Sequence, residues 1–246
     1  MSGVGWSNEE AVARWSAMPR GVLDAMGPEG DFAKRHLVNP DVLRMLGDVE
    51  GRRVLDAGCG HGYLARMLAA RGARVTGVEP AEGLLAYARE KGRGVRYVRA
   101  ELARMAEADA GLGGFDAVVC SMVLGAVPEW RPAMAACVRA LRPGGRFVFV
   151  LNHPAFEGLL TSWREHGAYR TGRYLEEYEI TGAHAPDFHR PLSAYLNELA
   201  ALGCRLAEVA EPGLDPALAT ADEGLEGYVR LPNFLLVAAD READRE

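Results

Sequence analysis

Seven short apolar runs rich in branched side chains alternate along this chain with longer stretches whose apolar residues recur every three or four positions. The first pattern has the period of buried strands and the second that of helices, so together they predict an α/β fold. Strands are expected at residues 53–55, 74–79, 95–98, 115–120, 146–151, 205–210 and 233–239. The last two read as an antiparallel, hairpin-like pair closing the sheet edge. Helices are expected at 8–18, 40–46, from Tyr63 onward, and at 81–91, 131–141 and 192–202. Ser7 suits the N-cap of the first helix, with Glu9 and Glu10 at the positive end of its dipole. Pro191 opens the last helix and Gly203 takes its C′ position. Residues 21–39 are broken by glycine and predict an irregular segment, 142–145 predicts a tight turn, and 211–232 is a long acidic connection.

An abrupt change at Asp56 organises the rest. Val54 and Leu55 belong to a strand buried on both faces, whereas Ala57-Gly-Cys-Gly-His-Gly62 is small and flexible, and Tyr63, Leu64, Met67 and Leu68 then open a helix. Strand, glycine loop and helix together let a small ligand approach bare backbone. A dinucleotide fingerprint requires G-x-G-x-x-G facing a pyrophosphate. Here the glycines run G-x-G-x-G, and the Asp56 carboxylate stands two residues before the first of them. A fixed negative charge there repels a pyrophosphate and attracts an ammonium or sulfonium group. Glu79 closes the next strand about 20 residues beyond the glycine loop, where such folds place a ribose-binding carboxylate. Pro80 then stops the strand.

The run from Val54 to Gly62 closely resembles the first motif of the class I S-adenosylmethionine-dependent methyltransferases, and the resemblance extends over residues 51–151. It implies a Rossmann-like, seven-stranded, mostly parallel sheet with helices on both faces, folded as a single domain. In that frame 1–50 form an N-terminal helical cap, 51–151 the cofactor-binding core, 152–191 an inserted lid after the fifth strand, and 192–246 the last helix and two strands. The implied cofactor is S-adenosylmethionine, leaving as S-adenosylhomocysteine. The resemblance assigns its binding to Asp56, Gly58, Cys59 and Gly60, to Glu79 on the ribose hydroxyls with Pro80 beside it, and to Ser121. Glu101 accepts from the adenine amino group and the Leu102 amide meets a ring nitrogen. Aspartate is usual at the position of Glu101, so this chain departs mildly from the family there. Ser121 and Met122, at the carboxyl end of the fourth strand, border the transferred methyl group. Ser121-Met-Val-Leu124 stands where enzymes acting on nucleobase amines or glutamine amides often carry Asn-Pro-Pro-Tyr. Its absence favours O-, N- or C-methylation of a small molecule. The N-terminal segment often covers cofactor and substrate in this family; packing of Trp6 and Trp15 on the domain edge is the alternative.

Residues 157–191 turn aromatic and polar, with Trp163, His166, Tyr169, Tyr174, Tyr178, His184, Phe188 and His189. Alternation over 174–180 predicts a strand within this insert, which is expected to lie over the active site. Tyr169, Tyr174 and Tyr178 are the expected contacts of a flat organic acceptor. A satellite core is the alternative, for Trp163 and Phe188 in particular. Methyl transfer is an in-line displacement that chiefly demands alignment, with a base where the nucleophile is weakly acidic. His153, just after the fifth strand, is the first candidate for that base and His189 the second; satisfying backbone groups near loops is the alternative for either. Two other functions share this fold: a non-methylating cyclisation assisted by the sulfonium charge, and a non-catalytic partner module.

Composition narrows the substrates. The 246 residues carry a net charge of −6, so nucleic acid and anionic membrane meet no general attraction and a small-molecule acceptor is favoured. Four scattered cysteines show neither C-x-x-C nor metal-ligand spacing, and no metal is expected. No signal-peptide pattern opens the chain and no apolar run reaches membrane-spanning length, which together predict a cytoplasmic protein. Monomer and homodimer are both compatible with the sequence.

Overall fold

A computed structural model describes residues 6–92, 94–109, 111–180, 185–221 and 225–243. His184 lies outside the described residues.

The chain opens with α1 (Asn8–Ser16), held by a capping box in which Ser7 Oγ accepts from the Glu10 amide and Glu10 Oε2 accepts from the Ser7 amide. After α2 (Arg20–Ala25) comes a feature that the glycine-broken pattern of 21–39 conceals. Residues 32–46 form one continuous helix, π-wound over Lys34–Val38 before it becomes α3 (Asn39–Leu46). Pro40 has no amide hydrogen and its ring crowds the carbonyl four residues back. The helix widens just before it, and the Asn39 amide bonds Lys34 O, five residues away.

Strands and helices then alternate: β1 (Arg53–Ala57), α4 (Tyr63–Ala69), β2 (Arg74–Val78), α5 (Glu82–Lys91) and β3 (Arg96–Val98). A 3₁₀ turn, Leu102–Arg104, leads into α6 (Met105–Ala108), followed by β4 (Phe115–Ser121), α7 (Trp130–Ala140) and β5 (Leu141–Asn152). The insert holds α8 (Leu159–His166), β6 (Tyr178–Glu179) and β7 (Phe188–His189); α9 (Leu192–Ala201), β8 (Cys204–Ala210), α10 (Glu226–Arg230) and β9 (Phe234–Arg241) complete the chain.

Seven strands form one sheet in the order β3-β2-β1-β4-β5-β9-β8, parallel from β3 to β5, with β9 antiparallel to both its neighbours. Successive residues pack into opposite cores. Leu55, Phe147 and Phe149 lie with Trp130 and Tyr195 on one face, while Val54, Val148 and Val150 lie with Leu64, Leu68 and Met45 on the other. Burial on both faces is why the central strands read as unbroken apolar runs. The order reverses between β1 and β4, and ligands of open α/β sheets bind beyond the carboxyl ends of strands at such a switch point.

Three expectations change. The last two strands pair antiparallel but are no hairpin: β9 inserts between β5 and β8, and the intervening chain carries a 3₁₀ turn at Pro216–Ala221 and α10. The turn expected at 142–145 lies within β5 as a bulge, where pairing jumps from Phe115 with Leu141 to Ala117 with Arg146. The strand expected over 174–180 shrinks to Tyr178–Glu179, because residues 173–176 turn on an Arg173–Glu176 ion pair and a bond from the Glu176 amide to Arg173 O.

Candidate functional site

The glycine loop is tied down from beneath. The Gly58 and Cys59 amides both donate to Val78 O, at 2.8 and 3.0 Å, so the loop leaves β1 against the end of β2. Gly58, at φ +75°, is packed tight: a Cβ there would run into Val123 Cγ2. Gly60, at φ +53°, is its opposite, since a Cβ would meet nothing within 4 Å. One glycine makes room for protein and the other opens onto the cleft.

Two buried acids stand at the ends of the neighbouring strands, and Glu79 is the one that lines the cleft. Glu79 is 7% exposed; its Oε2 accepts from the Gly60 amide at 3.0 Å and its Oε1 from the Ala81 amide at 2.9 Å. Burial raises its carboxyl above the ordinary range, against the pull of those two hydrogen bonds. Each oxygen keeps a lone pair free for a further donor. Asp56, 2% exposed, sits on the adjacent strand, and its Oδ2 is buried without a hydrogen-bond partner. Burial pushes the Asp56 carboxyl up to about 7, with a backbone hydrogen bond from Ala65 opposing and the Glu79 charge reinforcing the rise. An unpartnered buried acceptor costs about 1–3 kcal/mol, a cost that a ligand bringing a donor or a positive charge would relieve. These features fit S-adenosylmethionine, a sulfonium with a ribose and an ammonium group: open space at Gly60, acceptors to spare on Glu79 and an orphaned oxygen on Asp56.

The cleft has a volume of about 240 Å³. Gly58, Cys59, Gly60, Glu79, Pro80, Glu101, Leu102, Ser121 and Met122 all line it, so the structure gathers these expected positions around one space; Asp56, two residues before Gly58, is buried and does not line it. Asn8, Ala11, Val12 and Trp15 of α1 lie across it, which places the N-terminal segment over the cleft. Trp6 reaches further, donating from Nε1 to Glu179 Oε1 on β6. Met122 holds φ +62°, the one non-glycine residue with positive φ among the described residues, and its amide bonds Val150 O at 2.9 Å. Such backbone strain concentrates at ligand sites. His61, Tyr63 and Lys34 also line the cleft and were not anticipated. His61 stacks on Tyr63, and burial, with Arg66 and Lys34 adding to it, lowers its pKa to about 4, so the ring is neutral. Its place within the glycine motif was the available signal; Lys34, on the π-wound helix, offered none.

A second recess, of about 280 Å³, joins the first. Trp15, Met18, Lys34, Met122 and Ala126 belong to both, and Leu151, Asn152, Ala185, Pro186 and Asp187 complete the new walls. Asp187 accepts from Asn152 Nδ2 at 3.2 Å and from the Phe188 amide at 3.1 Å. Burial pushes its carboxyl up to about 6, opposed by the Asn152 hydrogen bond. Asp187 stood unmarked in the insert sequence.

Both histidines expected to act as bases lie away from these spaces. His153, 3% exposed, caps the 3₁₀ turn Pro154–Phe156: Nδ1 accepts from the Ala155 amide at 3.1 Å and Nε2 donates to Glu211 Oε1 at 2.7 Å. Both of its ring nitrogens are thus committed within the protein. His189, 2% exposed, donates from Nε2 to Tyr174 O at 2.8 Å and places Nδ1 3.0 Å from Glu157 Oε1. Tyr178 stacks on that ring and donates its hydroxyl to Glu157 Oε2, while the Tyr174 hydroxyl accepts from the Leu192 amide. Tyr169 packs edge-on against Phe156. The three tyrosines therefore bind the insert to itself and to the start of α9, and line neither recess. Trp163 packs over Gly227 and Phe188 under the Arg190 guanidinium, which is the satellite-core arrangement.

Comparison with known proteins agrees with this architecture. A methyltransferase domain family matches residues 55–149. The chain is 33% identical over 188 residues to a ubiquinone biosynthesis O-methyltransferase of Idiomarina loihiensis, covering 70% of this chain and 75% of that protein. The corresponding Alkalilimnicola ehrlichii protein is 39% identical over 130 residues, and there the match spans only about half of either chain, 50% and 52%. The crystal structure of an S-adenosylmethionine-dependent methyltransferase from Mesorhizobium loti superposes with a TM-score of 0.71 at 30% identity, covering 87% of this chain and all of that one. With the glycine loop, the paired acids and the switch-point cleft in place, these likenesses establish that the chain belongs to the class I S-adenosylmethionine-dependent methyltransferases.

Proposed function

We propose that the enzyme methylates a hydroxyl group on a small, flat, mostly apolar acceptor held in the second recess. The observation that carries this reading is the continuity of the two spaces: Trp15, Met18, Lys34, Met122 and Ala126 wall both, so an acceptor in one lies next to a cofactor in the other. The recess is built largely from Trp15, Met18, Met122, Leu151, Ala185 and Pro186, with polar groups only at Lys34, Asn152 and Asp187, a composition that orients an aromatic ring by few contacts. The hydroxyl is favoured by the likeness to O-methyltransferases.

When bound, S-adenosylmethionine supplies an electrophilic methyl carbon on a sulfonium that departs as a neutral thioether. The chain's own contribution is placement. Glu79 would hold the ribose hydroxyls, Glu101 and the Leu102 amide the adenine, and Asp56 the positive end, while Gly60 lets the ligand approach the backbone. Trp15 and the rest of α1 exclude water. The reading includes a cytoplasmic setting, supported by four free, buried cysteines and by the absence among the described residues of a helix long and apolar enough to cross a membrane. It includes no nucleic-acid partner, in keeping with the net charge of −6.

The test is incubation with S-adenosylmethionine and a panel of phenols, carboxylic acids, amines and carbon acids, with products read by mass spectrometry. Methylated phenols are expected. Products confined to carboxylic acids, amines or carbon acids, or no product from any class, would contradict the proposal.

A further inference from the structure

A hydroxyl that is methylated must lose its proton, and neither His153 nor His189 lies where it could receive one. Among the described residues lining the second recess, three carry polar side chains: Lys34, Asn152 and Asp187. Lys34 is a cation paired with Asp31 at 3.1 Å, and the Asn152 amide has no useful basicity. We propose that Asp187 is the catalytic base, its carboxylate taking the hydroxyl proton as the acceptor oxygen attacks. The inference rests on the hydroxyl-methylation reading above. In this step the acceptor O–H bond breaks, its electron pair stays on oxygen for the new O–C bond, and the proton moves to a carboxylate oxygen of Asp187. Release to solvent after product departure restores the carboxylate.

Several observations support that role. Asn152 donates to one oxygen and the Phe188 amide, shared with Gly125 O at 2.9 Å, to the other, which orients the carboxylate while leaving each oxygen a lone pair. Gly125 faces it: a Cβ there would lie 3.2 Å from Asp187 Oδ1, so the absence of a side chain keeps the approach clear. The surrounding charges are mixed. Glu157, before α8, raises the proton affinity of Asp187 and Arg190, beyond β7, lowers it, while Lys34 faces the recess from the opposite wall. Burial, the largest influence, brings the carboxyl to about 6, so it is ionised at neutral pH yet more basic than an exposed aspartate.

Turnover of a phenol at saturating cofactor should rise with pH through about 6 and then level off. Asp187→Asn should lower kcat at neutral pH by about 100- to 10,000-fold, the usual range for a lost general base, and should lose that limb. Asp187→Glu should restore part of the rate. A second measurement needs no turnover: affinities of the phenol and of its methyl ether for the S-adenosylhomocysteine complex, compared across pH. Ionised Asp187 accepts a hydrogen bond from the phenol alone, so wild type should prefer the phenol increasingly as pH rises through about 6. Asp187→Asn should show no such trend. If the variant does not fold, the wild-type affinities still decide the matter. Phenol methylation with an unimpaired Asp187→Asn enzyme, or a wild-type preference independent of pH, overturns the role of Asp187 alone. Absence of phenol methylation by the wild type overturns the hydroxyl reading, and Asp187 as base with it.

Discussion

The loop from Asp56 to Glu79 and the insert that follows β5 are both rich in residues able to do chemistry, yet they are built in opposite ways. In the first, partners are near in sequence and held by the sheet. Asp56 and Ala57 pair with Gly77 and Val78 in parallel register, and the Gly60 amide finds Glu79 only 19 residues on. In the second, partners come from afar: His153 meets Glu211, 58 residues away, and Trp6 meets Glu179 across 173 residues. Where a strand and a glycine turn dictate the path, spacing alone indicates which groups converge on a ligand. Where loops pack on loops, a third element decides whether a histidine faces substrate or backbone.

The contrast is most sharply tested at Gly60. Gly60→Val should abolish S-adenosylhomocysteine binding, at least about 100-fold by calorimetry, because the side chain enters the cleft while meeting no protein atom within 4 Å. Strain at φ +53° should lower stability by only ~1–3 kcal/mol. Unchanged affinity in that variant would mean that the loop does not face the cofactor. Glu79→Ala should come next, weakening binding by ~1.5–3 kcal/mol, or roughly 10- to 150-fold, as expected for hydrogen bonds to a charged group.

Asp56 offers a test through pH. In the folded protein it keeps its proton up to about pH 7, whereas an unfolded chain releases it near its ordinary value of about 4. Between those two values the unfolded state binds fewer protons, so Asp56 stabilises the unliganded fold in acid and that contribution fades as pH rises toward 7. The melting temperature of wild type relative to Asp56→Asn should therefore fall over that interval. A flat difference would show that Asp56 is ionised throughout. The smallest catalytic effect is expected in the insert. His153→Ala should lower stability by ~1–3 kcal/mol through loss of its bonds to Ala155 and Glu211, and leave kcat for a methylated acceptor nearly unchanged. A large fall in kcat with an intact fold would return His153 to the active site.

Much of the central sheet was legible because its strands are buried on both faces and stand out as unbroken apolar runs, as at Val118–Cys120 and Phe147–Leu151. Gly58, Gly60, Glu79 and Ser121 were expected in the cleft because they lie at or just beyond the ends of such runs, and they line it. The π turn was hidden because its cause, Pro40, follows the residues it reshapes. The place of β9 between β5 and β8 was hidden because nothing in an apolar strand names its neighbour. Asp187 was hidden because an acid in a polar insert looks solvated until Asn152 and Gly125 are brought against it. The tyrosines were conspicuous by type, but their hydroxyls and rings are spent on Glu157, Leu192 and Phe156.

The most direct test of the central claim is a crystal structure with S-adenosylhomocysteine bound. The adenosyl group should lie across Gly60 beneath α1, with the Glu79 carboxylate within about 3 Å of both ribose hydroxyls and the adenine between Glu101 and Leu102. Density for the ligand elsewhere, or a ribose held by a residue other than Glu79, would contradict it.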